Sequence, residues 1–296
     1  MAPQLNHPAL IKVNFRLVCL FVIHHQTEAN MSSSTCLLPH MNDHVLTLTL
    51  NQPDQRNALS EEMLNALLTA LRESYDNEQV RVVVIAAAGS VFSAGHNLKE
   101  LNEHHGDEDG GKVFFQRIMR LCADVMQAIV NHPRPVIARV QGMATAAGCQ
   151  LVASCDLAIA TESSRFCTPG VNIGLFCSTP MVALSRNVTR KQAMQMLLLG
   201  DVIDAPTALS YGLINQIVPQ DDLDAAVDDY CQKLCLKSAA TLKIGKEAFY
   251  QQAEMPLAKA YDFSCEVMVN NLLHKEAKEG IGAFIDKRPA QFNTSE

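Results

Sequence analysis

The spacing of hydrophobic and polar residues changes repeatedly along this chain. In Val45–Leu50 apolar residues alternate with threonine, which predicts a strand with one buried face. Residues 81–88 form an apolar run that ends at Gly89, and this pattern predicts a strand buried on both faces. Residues 135–140 and 156–160 repeat the pattern, so the sequence predicts a sheet with buried central strands.

Helical repeats separate these runs. Ser60 is a suitable N-cap before two glutamates, and the apolar residues that follow it recur on one face. Lys112–Val130 predicts a longer helix with a broad apolar face. The turn-rich segment 166–179 is predicted to be a loop. Capping patterns and apolar repeats predict further helices, which begin at Thr179 (N-cap, with Pro180 next), Thr189 and Asp204 or cover residues 221–237, 238–252, 257–273 and 276–285.

The order of these elements predicts an α/β fold with largely parallel strands, because strand, turn and helix repeat along the core. We expect an N-terminal extension over residues 1–41, an α/β core over 42–220 and a helical region over 221–296. The extension fits a weak transit peptide, a poor signal peptide, or sequence upstream of a start at Met31 or Met41. We expect it to be disordered or removed.

Composition narrows the possible partners. A formal charge of −7 and a pI near 5.8, without a basic run, argue against a nucleic-acid surface. The ten cysteines include no CxxC pair, which favours small core residues in a reducing compartment over disulfides or zinc ligands. The acidic and histidine-containing loop at 104–112 is expected to be solvated rather than to bind a metal. No apolar stretch reaches membrane-spanning length.

Two turns are candidates for a binding site. Residues 141–156 lead through glycine and small residues into a helix with hardly a charge, whose free N-terminal N–H groups favour an oxygen with partial negative charge. Residues 91–101 also pass from a strand through a Ser-Ala-Gly turn into a helix. The first segment alone also fits a core helix packed through small residues. Together, the two turns can direct backbone donors at one carbonyl oxygen.

The segments FSAGHNLKEL and QGMATAAGCQLVASCDLAIA resemble, in residues and spacing, the two signature segments of the crotonase superfamily, the enoyl-CoA hydratase/isomerase family. The resemblance runs from residue 42 to residue 292 and implies a crotonase-like spiral of repeated ββα units. It also implies a C-terminal helical region that covers the active site and forms trimers or dimers of trimers. The implied substrate is an acyl-CoA of fatty-acid or lipid metabolism, with coenzyme A as part of the substrate and no separate cofactor or metal. The implied compartment is a bacterial cytoplasm or a mitochondrial matrix.

The family holds the thioester carbonyl between two backbone N–H groups, called an oxyanion hole. Matching the motifs residue by residue places these donors at His96 and Ala147. Loss of one such donor typically costs about 10²–10³ in rate. The resemblance implies further contacts with the acyl-CoA from Arg56, Ala58, Ala94, Asn97, Leu98, Pro169, Gly170, Phe284 and Lys287.

Two positions depart from the hydratase pattern. Where family hydratases have glutamates, this chain has Gln150 and Gly170, and neither can transfer a proton near neutral pH. We therefore expect little ordinary enoyl-CoA hydration. Either His96 supplies a different proton-transfer group, or the protein is a non-catalytic acyl-CoA-binding or regulatory protein on the same scaffold. Since no base adjoins them, the other candidates are interpreted as packing or pocket lining, namely Cys149, Cys167, Cys177, Ser178 and Thr179.

Overall fold

A computed structural model of the chain describes residues 36–292. The strands are β1 Leu37–Asn42, β2 Val45–Leu50, β3 Val82–Ala87, β4 Val91–Ser93, β5 Val136–Val140, β6 Met143–Thr145, β7 Leu157–Thr161, β8 Arg165–Cys167, β9 Ile203–Asp204 and β10 Gln216–Val218. The α-helices are α1 Glu61–Tyr75, α2 Leu98–Glu103, α3 Lys112–Val130, α4 Ala147–Ser154, α5 Ser178–Asn187, α6 Arg190–Leu199, α7 Ala205–Tyr211, α8 Leu223–Cys235, α9 Ala239–Ala253, α10 Leu257–Leu273 and α11 Lys275–Ile285.

The strands form two sheets. The larger sheet has six strands in the order β1, β2, β3, β5, β7, β10, and its neighbours are parallel except for β1 and β2. The smaller sheet has four strands in the order β4, β6, β8, β9. Three pairs of consecutive strands are each followed by a helix: β3 and β4, β5 and β6, and β7 and β8. In each pair the first strand belongs to the larger sheet and the second to the smaller sheet. This is the repeated ββα unit of the crotonase-like spiral, so the predicted fold class is confirmed.

The strand residues alternate between two covered faces of the larger sheet. Leu48 of β2 and its register partner Ile85 of β3 are fully buried on one face. Thr47 and its register partner Val84 point to the other face, where Val84 packs against Val227 of α8. Burial on both faces explains why residues 82–87 are apolar without alternation.

A buried ion pair fastens the C-terminal helices to the sheets. The ammonium of Lys246, in α9, lies 2.6 Å from the carboxylate of Asp156, which directly precedes β7. The same carboxylate accepts hydrogen bonds from the Tyr250 hydroxyl at 2.9 Å and from the backbone N–H of Val136 at 2.7 Å. Burial raises the pKa of Asp156 and lowers the pKa of Lys246, and their contact opposes both shifts. The hydrogen bonds from Lys246, Val136 and Tyr250 favour the charged form of the carboxylate.

Most predicted elements are confirmed by the structure. Ser60 caps α1 by accepting the N–H of Met63 at 3.2 Å, and the predicted helix Lys112–Val130 is α3. Thr189 forms the predicted capping box of α6. The helical character of residues 223–285 is confirmed as α8 to α11. Within the described residues, none of the helices has the length and hydrophobicity needed to cross a membrane.

Three predictions of local structure were wrong. Residues 37–41 belong to β1, which pairs with β2, so the expected extension over 1–41 is too long; its remainder, 1–35, lies outside the described residues. Helix α5 begins at Ser178 with Cys177 as its N-cap, so Thr179 lies inside the first turn instead of capping it. The predicted loop 166–179 contains the end of β8 and a 3-10 turn over Pro169–Ile173.

Candidate functional site

Asn57 holds together the loop before α1 and the turn after β3. Its buried side chain accepts the backbone N–H of Gln52 at 2.9 Å and donates to the carbonyls of Ala88 and Val91, each at 2.8 Å. The Asn57 carbonyl accepts the hydroxyl of Ser93 at 2.8 Å. This residue was not among the sequence candidates, because three of its partners, Ala88, Val91 and Ser93, lie more than thirty residues further along the chain. The only available signal was a polar residue directly before the buried apolar pair Ala58 and Leu59.

This brace brings together several residues that the family resemblance places at the acyl-CoA. The backbone N–H of Ala94 donates to the carbonyl of Arg56 at 2.9 Å, and the N–H of Leu59 donates to the carbonyl of Gly95 at 2.7 Å. Ala58, between these contacts, is buried. Arg56 adopts a left-handed backbone with φ of 53°, which turns the loop towards the strand β4. Three of the predicted positions, Arg56, Ala58 and Ala94, therefore lie on two adjacent, hydrogen-bonded backbone segments.

The next two predicted positions begin α2. Asn97 is the N-cap, and its side-chain oxygen accepts the backbone N–H groups of Lys99 at 3.2 Å and Glu100 at 3.4 Å. Leu98, the first residue of the helix, is 55% exposed. Asn97 therefore has a structural function in addition to any contact with a ligand, while the Leu98 side chain is free for one.

The two candidate turns are in direct contact. A methyl group on Gly95 would lie 2.9 Å from the carbonyl oxygen of Thr145 and 3.1 Å from the backbone nitrogen of Ala147. A methyl group on Gly148 would lie only 2.4 Å from the carbonyl oxygen of Ser93. Glycine is required at both positions because the backbones approach too closely for a Cβ atom. The start of α4 and the turn after β4 therefore form a single surface.

Two backbone donors on this surface have no acceptor. No hydrogen bond among residues 36–292 uses the N–H of His96 or of Ala147, the first residue of α4. The preceding residue, Ala146, has φ of 51° and ψ of −118°, which is a strained conformation for a residue with a side chain. Its own N–H donates to the carbonyl of Cys167 at 2.9 Å, which fixes this conformation. Free, positioned N–H groups at a helix start are suited to a partly negative oxygen.

The side chain of His96 is partly buried, and both of its ring nitrogens are shielded from solvent. Neither ring nitrogen makes a hydrogen bond of good geometry within the described residues. Burial lowers the pKa of His96, and the nearby backbone of Leu59 opposes this shift only in part. The ring is therefore neutral at pH 7. A neutral imidazole without a protein partner can accept a proton or a hydrogen bond from a ligand.

The two positions without glutamate have different surroundings. Gln150, on α4, is buried, and its side-chain oxygen lies 3.9 Å from the sulfur of Cys122. A methyl group on Gly170 would lie 2.6 Å from the carbonyl oxygen of Leu175 and 2.9 Å from Sγ of Cys177. Position 170 therefore lacks an acid and also lacks the room for one.

The thiols near the turns are buried. Burial raises the pKa of Cys149, Cys167 and Cys177, and Cys149 also interacts electrostatically with the other two. The thiol of Cys167 donates to the hydroxyl of Thr145 at 3.1 Å. Their clustering was not evident in the sequence, because each comes from a different element.

The predicted C-terminal contacts are not assembled within one chain. Helix α11 packs on α9 and α10, and Phe284 near its end is 85% exposed. Lys287 follows the helix in a left-handed conformation with φ of 56°. Pro169 begins the 3-10 turn that contains Gly170. The structure thus brings together the candidates between residues 56 and 98 and Ala147, while the side chain of Phe284 is largely exposed.

Comparison with known protein families matches residues 40–295 to enoyl-CoA hydratase/isomerase. This chain belongs to the enoyl-CoA hydratase/isomerase family. The matched range contains both turns and the C-terminal helices, so the resemblance seen in the two sequence segments is confirmed.

Three relatives illustrate the similarity of this family member to known proteins. A Xenopus laevis protein named enoyl-CoA hydratase domain-containing protein 3, mitochondrial, is 47% identical over 241 residues, which cover 81% of this chain and 80% of that protein. The crystal structure of an enoyl-CoA hydratase from Mycobacterium smegmatis is 44% identical, with a TM-score of 0.83 over 88% of this chain and 99% of that one. The crystal structure of human enoyl Coenzyme A hydratase domain-containing protein 3 is 42% identical, with a TM-score of 0.83 over 87% and 100%.

Proposed function

We propose that this protein binds acyl-CoA thioesters and holds the thioester carbonyl between the backbone N–H groups of His96 and Ala147. The observation that carries this proposal is a pair of N–H groups that have no acceptor among residues 36–292, on two turns that touch at Gly95. Such donors stabilise the negative charge that develops on a carbonyl oxygen. Membership of the enoyl-CoA hydratase/isomerase family supports an acyl-CoA as the ligand.

We further propose that ordinary hydration of 2-enoyl-CoA is weak in this protein. Adding water across a double bond needs a group to take a proton from water and a group to give one to carbon. A positioned acid or base contributes about 10²–10⁴ in rate, and Gln150 and Gly170 supply neither. Coenzyme A enters only as part of the substrate, and no separate cofactor or metal is proposed.

Two versions of this function remain, and His96 separates them. In the first, the protein is an enzyme that acts on acyl-CoA with the His96 ring as its proton-transfer group, which its buried and unpartnered nitrogens favour. In the second, it binds acyl-CoA without turnover and acts in regulation or transport. A His96→Gln variant that binds acyl-CoA normally but loses turnover supports the first version.

Exposed apolar helices and the name of one relative bear on assembly and location. Helices α9 to α11 expose large apolar side chains, including Phe249, Leu273 and Phe284. Contiguous exposed apolar surface favours association, so we propose a homotrimer or a dimer of trimers, in which a neighbouring copy covers Phe284 and Lys287. The name of the Xenopus laevis relative supports a mitochondrial location for this chain in fatty-acid or lipid metabolism.

The test combines binding and turnover on the full chain. Butyryl-CoA affinity is measured by calorimetry, and hydration is followed as loss of the conjugated thioester absorbance of crotonyl-CoA and a longer 2-enoyl-CoA. We expect binding with little or no hydration. Turnover at the rate of a typical enzyme, about 10 s⁻¹ or more, would contradict the proposal that Gln150 and Gly170 remove it.

One substitution tests the oxyanion hole directly. Ala147→Pro removes the N–H at the first position of a helix, where proline is accepted, but also adds a ring carbon on the nitrogen beside Gly95, and we expect it to weaken binding of butyryl-CoA at least tenfold. The matched control is Arg190→Pro, at the first position of α6, which is exposed and should bind normally. Equal affinity of both variants would exclude Ala147 as a donor, provided that circular dichroism shows both folded.

A further inference from the structure

Two arginines occupy neighbouring positions at the edge where β3 and β5 begin. Val83 of β3 is the register partner of Val136 of β5, and the N–H of Val83 donates to the carbonyl of Pro135 at 2.9 Å. Arg81 and Arg134 each lie two residues before this register pair. Because the two strands are parallel, the register brings the two arginines side by side.

Neither arginine has a carboxylate partner in the part of the chain that the structure describes, where no acidic side chain lies within ion-pair distance of either guanidinium. Arg81 is only 7% exposed, and its side chain makes one hydrogen bond, to the backbone carbonyl of Lys237. The Nε atom of Arg134 is buried and has no hydrogen-bond partner among residues 36–292. A guanidinium has five N–H donors, so most donors of this pair are unused.

The charges of the two arginines act on each other. Burial lowers the pKa of Arg134, and the charge of Arg81 lowers it further, while Glu78 opposes both shifts. Glu78 is exposed and lies beyond ion-pair distance, and the buried carboxylate of Glu276 accepts the hydroxyl of Ser238 instead. Like charges held side by side away from water are unfavourable unless an opposite charge binds them. No direct contact within residues 36–292 provides that charge.

The arginine pair lies away from the proposed acyl-CoA site. Arg81 and Arg134 precede β3 and β5, whereas the turns that contain His96 and Ala147 follow β4 and β6. From Arg81 the chain must cross the six residues of β3, about 20 Å, before it reaches β4. A ligand at the arginine pair is therefore separate from an acyl-CoA held by the two turns.

We propose that Arg81 and Arg134 bind a phosphate-class oxyanion, either inorganic phosphate or the phosphoryl group of a small molecule. The planar fork of N–H groups on arginine matches the oxygens of phosphate, and its charge strengthens each hydrogen bond. Arg134 is half-buried and can be reached from solvent, while Arg81 lies behind it as the buried partner. The phosphate oxygens accept the unused N–H groups, and the negative charge neutralises the pair.

Calorimetric titration of the full chain with inorganic phosphate, at an ionic strength held constant with sodium chloride, tests this site. We expect one phosphate to bind per chain, and Arg134→Gln should weaken binding by about tenfold or more, because it removes one of the two charged donors. Arg186→Gln is the matched control, since Arg186 is exposed and paired with Glu254, and it should bind phosphate normally. Glycerol 3-phosphate is titrated in parallel, and tighter binding than that of inorganic phosphate identifies a phosphoryl compound as the ligand.

A second variant changes the charge beside the pair without touching either arginine. Glu78→Gln removes a negative charge that repels the anion, so it should strengthen phosphate binding by about two- to fivefold. Weaker binding in this variant would contradict the site. Absence of phosphate binding in the wild-type chain, unchanged binding in Arg134→Gln, or displacement of phosphate by butyryl-CoA would overturn it. Butyryl-CoA binding should be normal in Arg134→Gln, so failure of this site leaves the proposed acyl-CoA site untouched.

Discussion

The ammonium of Lys246 lies 2.6 Å from the carboxylate of Asp156 and joins the C-terminal helices to the sheets. The same ammonium donates to the carbonyls of Ile129, at 3.0 Å, and Arg134, at 3.1 Å. It therefore also binds the C-terminal end of α3 and the segment after it. Both side chains are largely buried. Removing one partner of such a pair leaves the other as an uncompensated buried charge.

Lys246→Met should therefore lower the free energy of unfolding by about 3–5 kcal/mol, measured by urea denaturation. Lys243→Met, in the same helix but at an exposed position, is the matched control and should change it by less than about 0.5 kcal/mol. If the two variants are equally stable, the Lys246–Asp156 pair does not hold α9 in place.

Stability should also depend on pH through His132. Its ring is buried, with Nε2 3.1 Å from the hydroxyl of Ser74, and burial together with the charge of Lys246 lowers its pKa from 6.5 to about 4. Between pH 6.5 and 4, His132 is therefore protonated in the unfolded chain and neutral in the folded chain. The free energy of unfolding should fall by about 3 kcal/mol as pH decreases through this window.

The slope of that pH dependence is the measurement that identifies His132. In His132→Gln, the contribution of this ring disappears, so stability should fall less steeply between pH 6.5 and 4. His105→Gln, at an exposed position, should keep the wild-type slope. An unchanged slope in His132→Gln would assign the pH dependence to other groups.

Close packing of the two turns predicts a cost for adding one methyl group at Gly148. Because that methyl would lie 2.4 Å from the Ser93 carbonyl oxygen, Gly148→Ala must push the turns apart. We expect a loss of about 1–3 kcal/mol in stability and weaker butyryl-CoA binding. Gly245→Ala, within α9 where a methyl meets nothing within 4 Å, should instead stabilise by about 0.5–1 kcal/mol.

Crowding at Gly170 predicts that a glutamate cannot simply be restored there. Gly170→Glu places its Cβ 2.6 Å from the Leu175 carbonyl and 2.9 Å from the Cys177 sulfur, so it should destabilise by about 1–3 kcal/mol and not create hydratase activity. Adding Cys177→Gly should recover part of the loss, because it removes one of the two obstacles. Gly282→Glu, in open space, is the control and should have a small effect.

Local patterns in the sequence predicted much of the fold. Ser60 caps α1 and Thr189 forms a capping box, as the sequence predicted. Each cap bonds to a residue only three positions further along the chain, so the pattern is visible in the sequence. The sequence also singled out the turns that contain His96 and Ala147. These turns have short-range signatures, since glycine and small residues are required wherever two backbones approach closely.

Long-range contacts account for what the sequence did not predict. Three partners of Asn57 are more than thirty residues away in the sequence. Strand β1 forms because it pairs with the edge of β2. The Cys177 sulfur and the Leu175 carbonyl lie beside Gly170 because their loop folds back on itself, which no pattern in the sequence encodes.

Strand β1 limits how far a peptidase can trim this protein. It supplies the outer hydrogen-bonded edge of the larger sheet, and the Cys36 carbonyl just before it accepts the N–H of Asn51 at 2.7 Å. Cleavage beyond Cys36 would uncover the backbone of β2, and a bare strand edge is a template for aggregation. A mature form of this protein must therefore begin upstream of the sheet, and any targeting signal has to end before residue 36.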